Sequence, residues 1–425
     1  MNTQLKFYRF FYWAITLLLL GSIPVLCAQL MREKPPGAPP EVASIYSILY
    51  IIIGFSVISV VSYVLLYGKS WAKGSILSLL SFVLSWFILE GICAVVLHWK
   101  DGTPLISPQR TVLQRDPIAT RRTNFSLIRY DSLGMSRPSP GQYETIYSIK
   151  ENRLIHGKPT ALEKNRSVAY HIDSLSRRIT PFDKGQSVGK YALFLGCSFT
   201  YGESVSDTST IPYFFGRQTG YHPYNYGVSG HSPAHMLALL QTINIRKEVA
   251  EKNGVAFYTY IEDHLARVAP STRWAYNSDG YLPHVNADKL TVDGSYAQKH
   301  PVRLKLIQWM YKSNVARLFK LNFPGKYSTE QYRRFVNIVR KSKELYNEQF
   351  GNDNFYVVIF PMYPMDTELR QLFNQARIKL IDYSNLLTWK TAYDGMHPDG
   401  EAYRRVAQKL ADDFDSKLEQ PITLR

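Results

Sequence analysis

Two short blocks of this chain carry the residues best suited to chemistry: a serine that follows an apolar run, and a histidine three residues after an aspartate. Gly196-Cys197-Ser198-Phe199-Thr200 closes the apolar run 191–195, and far downstream Asp394-Gly395-Met396-His397-Pro398 opens an amphipathic stretch. A buried strand ending in Gly-x-Ser sets the serine on a strand-to-helix turn, with its hydroxyl exposed and the amides of the helix start pointing toward it. Asp and His three apart share one turn, so the carboxylate can orient the imidazole and the imidazole can take the serine proton. The order Ser, Asp, His is one of several in which this chemistry recurs. Ester hydrolysis or acyl transfer is the expected reaction.

These blocks resemble those of the SGNH (GDSL-type) hydrolases, and the resemblance runs from about residue 191 to 414. It implies Ser198 as nucleophile, His397 as base and Asp394 as orienting acid. Asn225-Tyr226-Gly227-Val228-Ser229-Gly230 is similar to the family's second block, which implies that the Gly230 amide joins that of Ser198 in an oxyanion hole. Two departures stand out. Cys197 occupies the place where the family usually has Asp, and suits a small buried residue better than a nucleophile. The third block, Gly-x-Asn-Asp in the family, is replaced by Glu262-Asp263-His264 after the strand-like run 255–261. The family Asn donates to the oxyanion, whereas an ionised Asp263 only accepts. Asp263 or His264 then holds the third oxyanion position, with Arg267 as another donor, or two backbone amides suffice. Losing one donor costs about 2.7–4 kcal/mol, so such a site is slow rather than dead.

His231, beside the oxyanion glycine, and Arg267 are the expected substrate contacts. His231 and His235 have an i, i+4 spacing but no acidic or third histidine partner nearby in sequence, so no metal and no cofactor is expected.

The elements that must position these residues follow from periodicity. Apolar runs at 191–195, 255–261, 355–360 and 378–381 alternate with helical stretches, and 401–418 has the spacing of a closing helix. The predicted fold class is α/β: a three-layer α/β/α sandwich with a mostly parallel, SGNH-like sheet, its site at the carboxyl ends of the strands. His222 reads as part of a turn. A helical insertion is expected at about 267–354, with 266–300 as loop and 301–320 and 329–350 as helices whose basic faces are solvated. Trp274, Tyr276 and Tyr281 suit either sugar stacking or packing of that loop. Residues 100–190 carry short Tyr/Ile/Val-bearing runs such as 143–149 and 167–172, which predicts a small β-rich accessory segment on the edge of the main domain, 191–425.

Residues 1–99 read as a membrane domain of three transmembrane helices preceding that fold. The segments 10–31 and 42–68 carry no charge and 74–99 carries only Glu90; each exceeds the ~20 residues needed to cross a bilayer. Lys6, Arg9, Lys69 and Lys73 favour an inside N-terminus, which puts everything after Lys100 outside. A cleaved signal peptide is the rival for the first span, which is long for one. Glu90, near the outer end of the third span, reads as a carboxylate reaching toward water. The net charge is +16, of which +13 lies beyond residue 98. That excess favours acidic partners, but no nucleic-acid motif accompanies it and no nucleic-acid partner is expected. The three cysteines, Cys27, Cys93 and Cys197, make no disulfide framework for the outer domain.

Together these readings predict a serine esterase or O-acyltransferase at a bacterial cytoplasmic (inner) membrane, with its catalytic domain periplasmic. It would act on ester groups, O-acetyl above all, of cell-envelope glycans. The alternatives are a lipid esterase and a catalytically weak scaffold of an envelope polysaccharide assembly system, the latter implying an assembly partner. Hydrolase and transferase are not distinguished by the sequence.

Overall fold

The computed structural model describes residues 70–101, 119–155, 158–386 and 388–418. The chain divides into two compact units: one holds the N-terminal residues to Thr111 together with Tyr311–Lys320, the other Val112–Met310 and Leu321–Arg425.

Within the first unit, helix α1 (Ser70–Asp101) contains the stretch Gly74–Trp99, long and apolar enough to cross a membrane. Its side chains are mostly exposed, Phe82, Phe87 and Ile92 among them. Of the three predicted spans, this is the one within the described residues; 10–31 and 42–68 lie outside them. Glu90 does not simply reach for water. Its carboxylate accepts the amide of Asn314 at 2.6 Å and the hydroxyl of Ser313, at the start of the short helix Asn314–Leu318.

The second unit opens with β1 (Ala119–Thr123), β2 (Leu127–Tyr130), β3 (Met135–Pro138), β4 (Gly141–Ile155) and β5 (Lys158–Ile172). Strands β4 and β5 form a long antiparallel hairpin, in register from Gly141↔Ile172 to Ile155↔Lys158, and β1 pairs along β4. Next come β6 (Lys190–Leu195), β7 (His222–Asn225), β8 (Asn253–Tyr260), the small hairpin β9 (Pro283–Val285) and β10 (Val292–Ser295), then β11 (Phe355–Ile359) and β12 (Lys379–Asp382). The central sheet has the order β12-β11-β8-β6-β7, and every pair in it is parallel.

Alternation along each strand builds the layers. In β6, Leu193 and Leu195 join Tyr258 of β8 and Val357 of β11 on one face, under helices Pro233–Thr242, Thr329–Phe350 and Thr367–Gln375. Ala192 and Phe194 join Phe257 and Val358 on the other, under Ile211–Thr219 and Gly400–Leu418. Burying one such Phe or Leu contributes roughly 1.5–3 kcal/mol, so strands apolar on both faces hold a sheet between two helical layers. The four predicted strands start and end within two residues of the observed ones. The fifth, β7, was not predicted, and its first residue, His222, was placed on a turn. Four residues with Pro223 inside do not look like a strand, but at a sheet edge proline's missing N–H costs little.

The insertion is more structured than expected. Its predicted loop contains helices Asp263–Val268 and Thr272–Asn277 and the β9–β10 hairpin, and the predicted helix 301–320 breaks into Pro301–Met310 and Asn314–Leu318. The break follows from Ser313, whose hydroxyl accepts the Ala316 amide and caps the second piece.

Candidate active site

Strand β6 ends at Leu195 and the chain turns through Gly196, whose φ is +152° and where any Cβ would lie 2.3 Å from Thr200 Oγ1. Only glycine fits that turn. Cys197 follows, fully buried, and Ser198 begins a single helical turn, Ser198–Tyr201, closed by Gly202 at φ +83°. Cys197 makes no side-chain cap to this turn; its carbonyl accepts the amides of Thr200 at 3.0 Å and Tyr201 at 2.8 Å instead. Gly227 packs flush against the turn: a Cβ there would sit 2.4 Å from the Tyr201 amide nitrogen.

Ser198 Oγ lies 2.8 Å from His397 Nε2, and His397 Nδ1 lies 2.5 Å from Asp394 Oδ2. The other oxygen, Asp394 Oδ1, accepts the amides of Met396 at 2.9 Å and His397 at 3.0 Å, which fixes the carboxylate within its own turn. Burial pushes the Asp394 carboxyl up, but the hydrogen bonds and charge of His397 and the two amides outweigh it and hold the group well below its usual range. An ionised acid at this place keeps the proton on Nδ1 and leaves Nε2 to take the serine proton.

A fourth donor reaches Asp394. Ser204 Oγ donates to Oδ2 at 2.7 Å, and since that hydroxyl has one proton, Tyr147 Oη at 2.7 Å must donate to Ser204 in turn. Tyr147 lies on β4, fully buried with Tyr143, Val168 and Tyr170 against Tyr201 of the nucleophile turn. The accessory segment therefore does more than flank the sheet edge: it supplies the end of a Tyr–Ser–Asp chain. Ser204 is held at φ +66° with its amide donating to Tyr170 Oη at 3.0 Å. Arg178, its side chain wholly buried, ties the same loop down by donating to the carbonyls of Tyr201, Gly202 and Val205 and to Asp207. Through isolated bridges to Ile172 and Asn225, Arg178 also joins the hairpin to the edge of the central sheet.

Tyr147→Phe removes one donor at the far end of this chain. The expected result is a kcat about tenfold lower with KM unchanged, in line with a neutral hydrogen bond of roughly 1 kcal/mol. Initial-rate kinetics at saturating ester check it; a change confined to KM would mean that Tyr147 touches substrate instead.

The amides of Ser198 and Gly230 have no hydrogen-bond partner among the described residues. Gly230 has φ +83° with open space where a Cβ would stand. Its turn is held beside Ser198 by three contacts. Val228 N donates to Gly196 O at 3.2 Å, Ser229 Oγ donates to the buried Glu203, and Arg267 Nη1 donates to the carbonyl of His231.

The remaining predicted residues are placed differently from expectation. His264 is wholly buried, one ring nitrogen 2.5 Å from Tyr258 Oη and the other without a partner, so it faces the core rather than a substrate. Asp263 is partly exposed and paired with Arg273 at 3.2 Å and Arg267 at 3.8 Å, an acceptor already engaged. Neither presents an exposed side-chain donor. Arg267 is buried with its guanidinium 4.1 Å over the Trp274 ring, and His231 Nε2 meets Ser136 O at 2.8 Å. Both brace the turn that carries Gly230, and a neighbouring-sequence argument cannot see that Ser136 and Trp274 lie within their reach. Trp274 is thereby a packing residue, and Tyr281 donates to Met135 O at 2.8 Å. His235 Nδ1 accepts the Ser232 amide at 3.1 Å, and no group of three or more metal-ligating side chains occurs among the described residues.

No family model matches the chain, and no curated protein matches it. Similar folds occur among solved structures. A member of the lipolytic G-D-S-L family from Veillonella parvula is 16% identical over 53% of this chain and 98% of its own, with a TM-score of 0.28. An acetyl xylan esterase from Butyrivibrio proteoclasticus is 10% identical over 61% of this chain and 68% of its own, at 0.33. A family two carbohydrate esterase from Clostridium thermocellum, solved with cellohexaose, is 10% identical over 70% and 99%, also at 0.33. Likeness at this level says nothing of chemistry, which has to come from the side chains.

Proposed function

We propose that this chain is a membrane-anchored serine esterase or O-acyltransferase of the SGNH type, acting on acyl esters, O-acetyl groups foremost, of bacterial envelope glycans outside the cytoplasmic membrane. The observation that carries the reading is the continuous contact Ser198 Oγ–His397 Nε2 and His397 Nδ1–Asp394 Oδ2 beside two free amides. Ser198 Oγ attacks the ester carbonyl as His397 takes its proton, and the Ser198 and Gly230 amides hold the oxyanion. His397 then protonates the departing sugar hydroxyl, leaving an acyl group on Ser198. Water, or an alcohol of a second glycan, takes that group with His397 again as base; which acceptor arrives decides hydrolysis or transfer. The glycan assignment follows from the resemblance and from the apolar helix that would tether the domain at a membrane.

The test is a fluorophosphonate probe on the full chain in detergent, followed by peptide mapping, beside turnover of p-nitrophenyl acetate. Covalent label on Ser198 with turnover supports the reading. A folded chain that neither labels nor turns over would point to the scaffold reading, which the missing third oxyanion donor favours.

A further inference from the structure

Away from the serine, the insertion encloses a cavity of about 150 Å³. Its lining combines Val268 and three prolines with Arg303, Arg334, His284, His300 and Tyr296. Tyr296 is 4% exposed, yet its hydroxyl has no hydrogen-bond partner, and the buried Nε of Arg334 has none either. Arg334 spends one Nη2 proton on the Val285 carbonyl at 2.7 Å; neither arginine has a carboxylate partner among the described residues. The carboxylate close by, Asp293, is already taken by His284 at 2.7 Å and Lys299 at 3.1 Å, and Glu330 acts on Arg334 only through its field. Burial and then the charges of His284, Arg303 and Arg334 push His300 below its usual range, so positive charge here is crowded and unrelieved.

Buried donors left unpaired in a protein are costly and are normally met by something. An anion meets these. A bare phosphate would want donors on every side, whereas much of this lining is proline and valine, which suits the C–H faces of a ring. We propose that the cavity binds a carboxylate-bearing sugar ring, its carboxylate between Arg303 and Arg334 and one oxygen accepting from Tyr296. The site goes beyond the esterase reading and does not depend on it, because occupancy needs no turnover.

Titration calorimetry of the full chain in nanodiscs with D-glucuronate, D-glucose and inorganic phosphate tests this. Glucuronate should bind at least about tenfold tighter than glucose, and Arg303→Gln and Tyr296→Phe should each weaken it about tenfold. Since the Tyr296 hydroxyl has no partner to lose, Tyr296→Phe should melt no lower than the parent, which separates lost binding from lost folding. Three outcomes overturn the proposal: glucuronate no tighter than glucose, phosphate tighter than glucuronate, or affinity unmoved by both variants.

Discussion

Ser198→Ala should lower kcat for p-nitrophenyl acetate by about 10⁶-fold, and adding His397→Ala in the same chain should cost almost nothing more. The two residues share one proton across 2.8 Å, so removing either removes the same event. Asp394→Asn is expected to cost less, roughly 10⁴-fold: an amide keeps the acceptor oxygen but loses the charge that steadies the imidazolium and fixes its tautomer. What remains, some 10³–10⁴ over water in comparable sites, belongs to the oxyanion amides and binding. Single- and double-variant kinetics on identically prepared protein decide it. Additive losses from Ser198→Ala and His397→Ala would sink the idea of a shared nucleophile and base, and point to some other catalytic group.

The second large effect is on stability. Three histidines gather around Arg267: His235 and His264 are buried and His231 is half-buried beside them. Burial, reinforced by the neighbouring positive charges, pushes His231 down to about 3 and the other two well below the usual imidazole range. All three are therefore neutral when folded, while the unfolded chain protonates them near pH 6.5. The stabilisation is whole above pH 6.5 and is lost as pH falls toward the folded values, because the unfolded state then binds more protons. Each group contributes about 1.4 kcal/mol per pH unit, so three together give roughly 4 kcal/mol per unit below that pH. Melting of the detergent-solubilised chain from pH 7.5 to 4.5 should show a steep fall beginning near pH 6.5. His264→Gln keeps a hydrogen-bond partner for Tyr258 and removes one titration, so its slope should be about a third shallower. A flat profile down to pH 5 would mean that these rings are protonated or solvated in the native state.

How far sequence could take these conclusions differs from element to element. Ser198, Asp394 and His397 were legible because each sits in a local pattern, Gly-x-Ser after an apolar run or Asp-x-x-His before a helix, and the fold brings such patterns to the strand ends. The strands β6, β8, β11 and β12 were legible because buried parallel strands are apolar on both faces. Tyr147 and Ser204 were not. Their role depends on a β4 strand distant in sequence crossing the loop after the nucleophile, and nothing local marks a tyrosine as a donor rather than core. Arg267 and His231 were expected to meet substrate, and their carbonyl partners could not be foreseen, since a buried arginine looks the same in sequence whichever acceptor it meets. The fully buried His264 was placed at the site because it follows β8 where the resemblance puts the third block, while its partner, Tyr258, lies on the same strand it follows.

The reach of Tyr147 has a consequence for how this chain can vary. Pairing between β4 and β5 is unbroken on both sides of Tyr147, with Tyr143↔Tyr170 and Tyr147↔Arg166 in one register. Side chains alternate along a strand, so inserting or deleting one residue between Gly141 and Tyr147 would turn the hydroxyl to the far face and strand Ser204 without its donor. A point change at Tyr147 removes one donor, whereas a length change there turns the whole face. A fragment begun at Tyr191 would hold every residue of the serine–histidine–aspartate set and still lack the strand whose tyrosine meets Ser204 beside its acid.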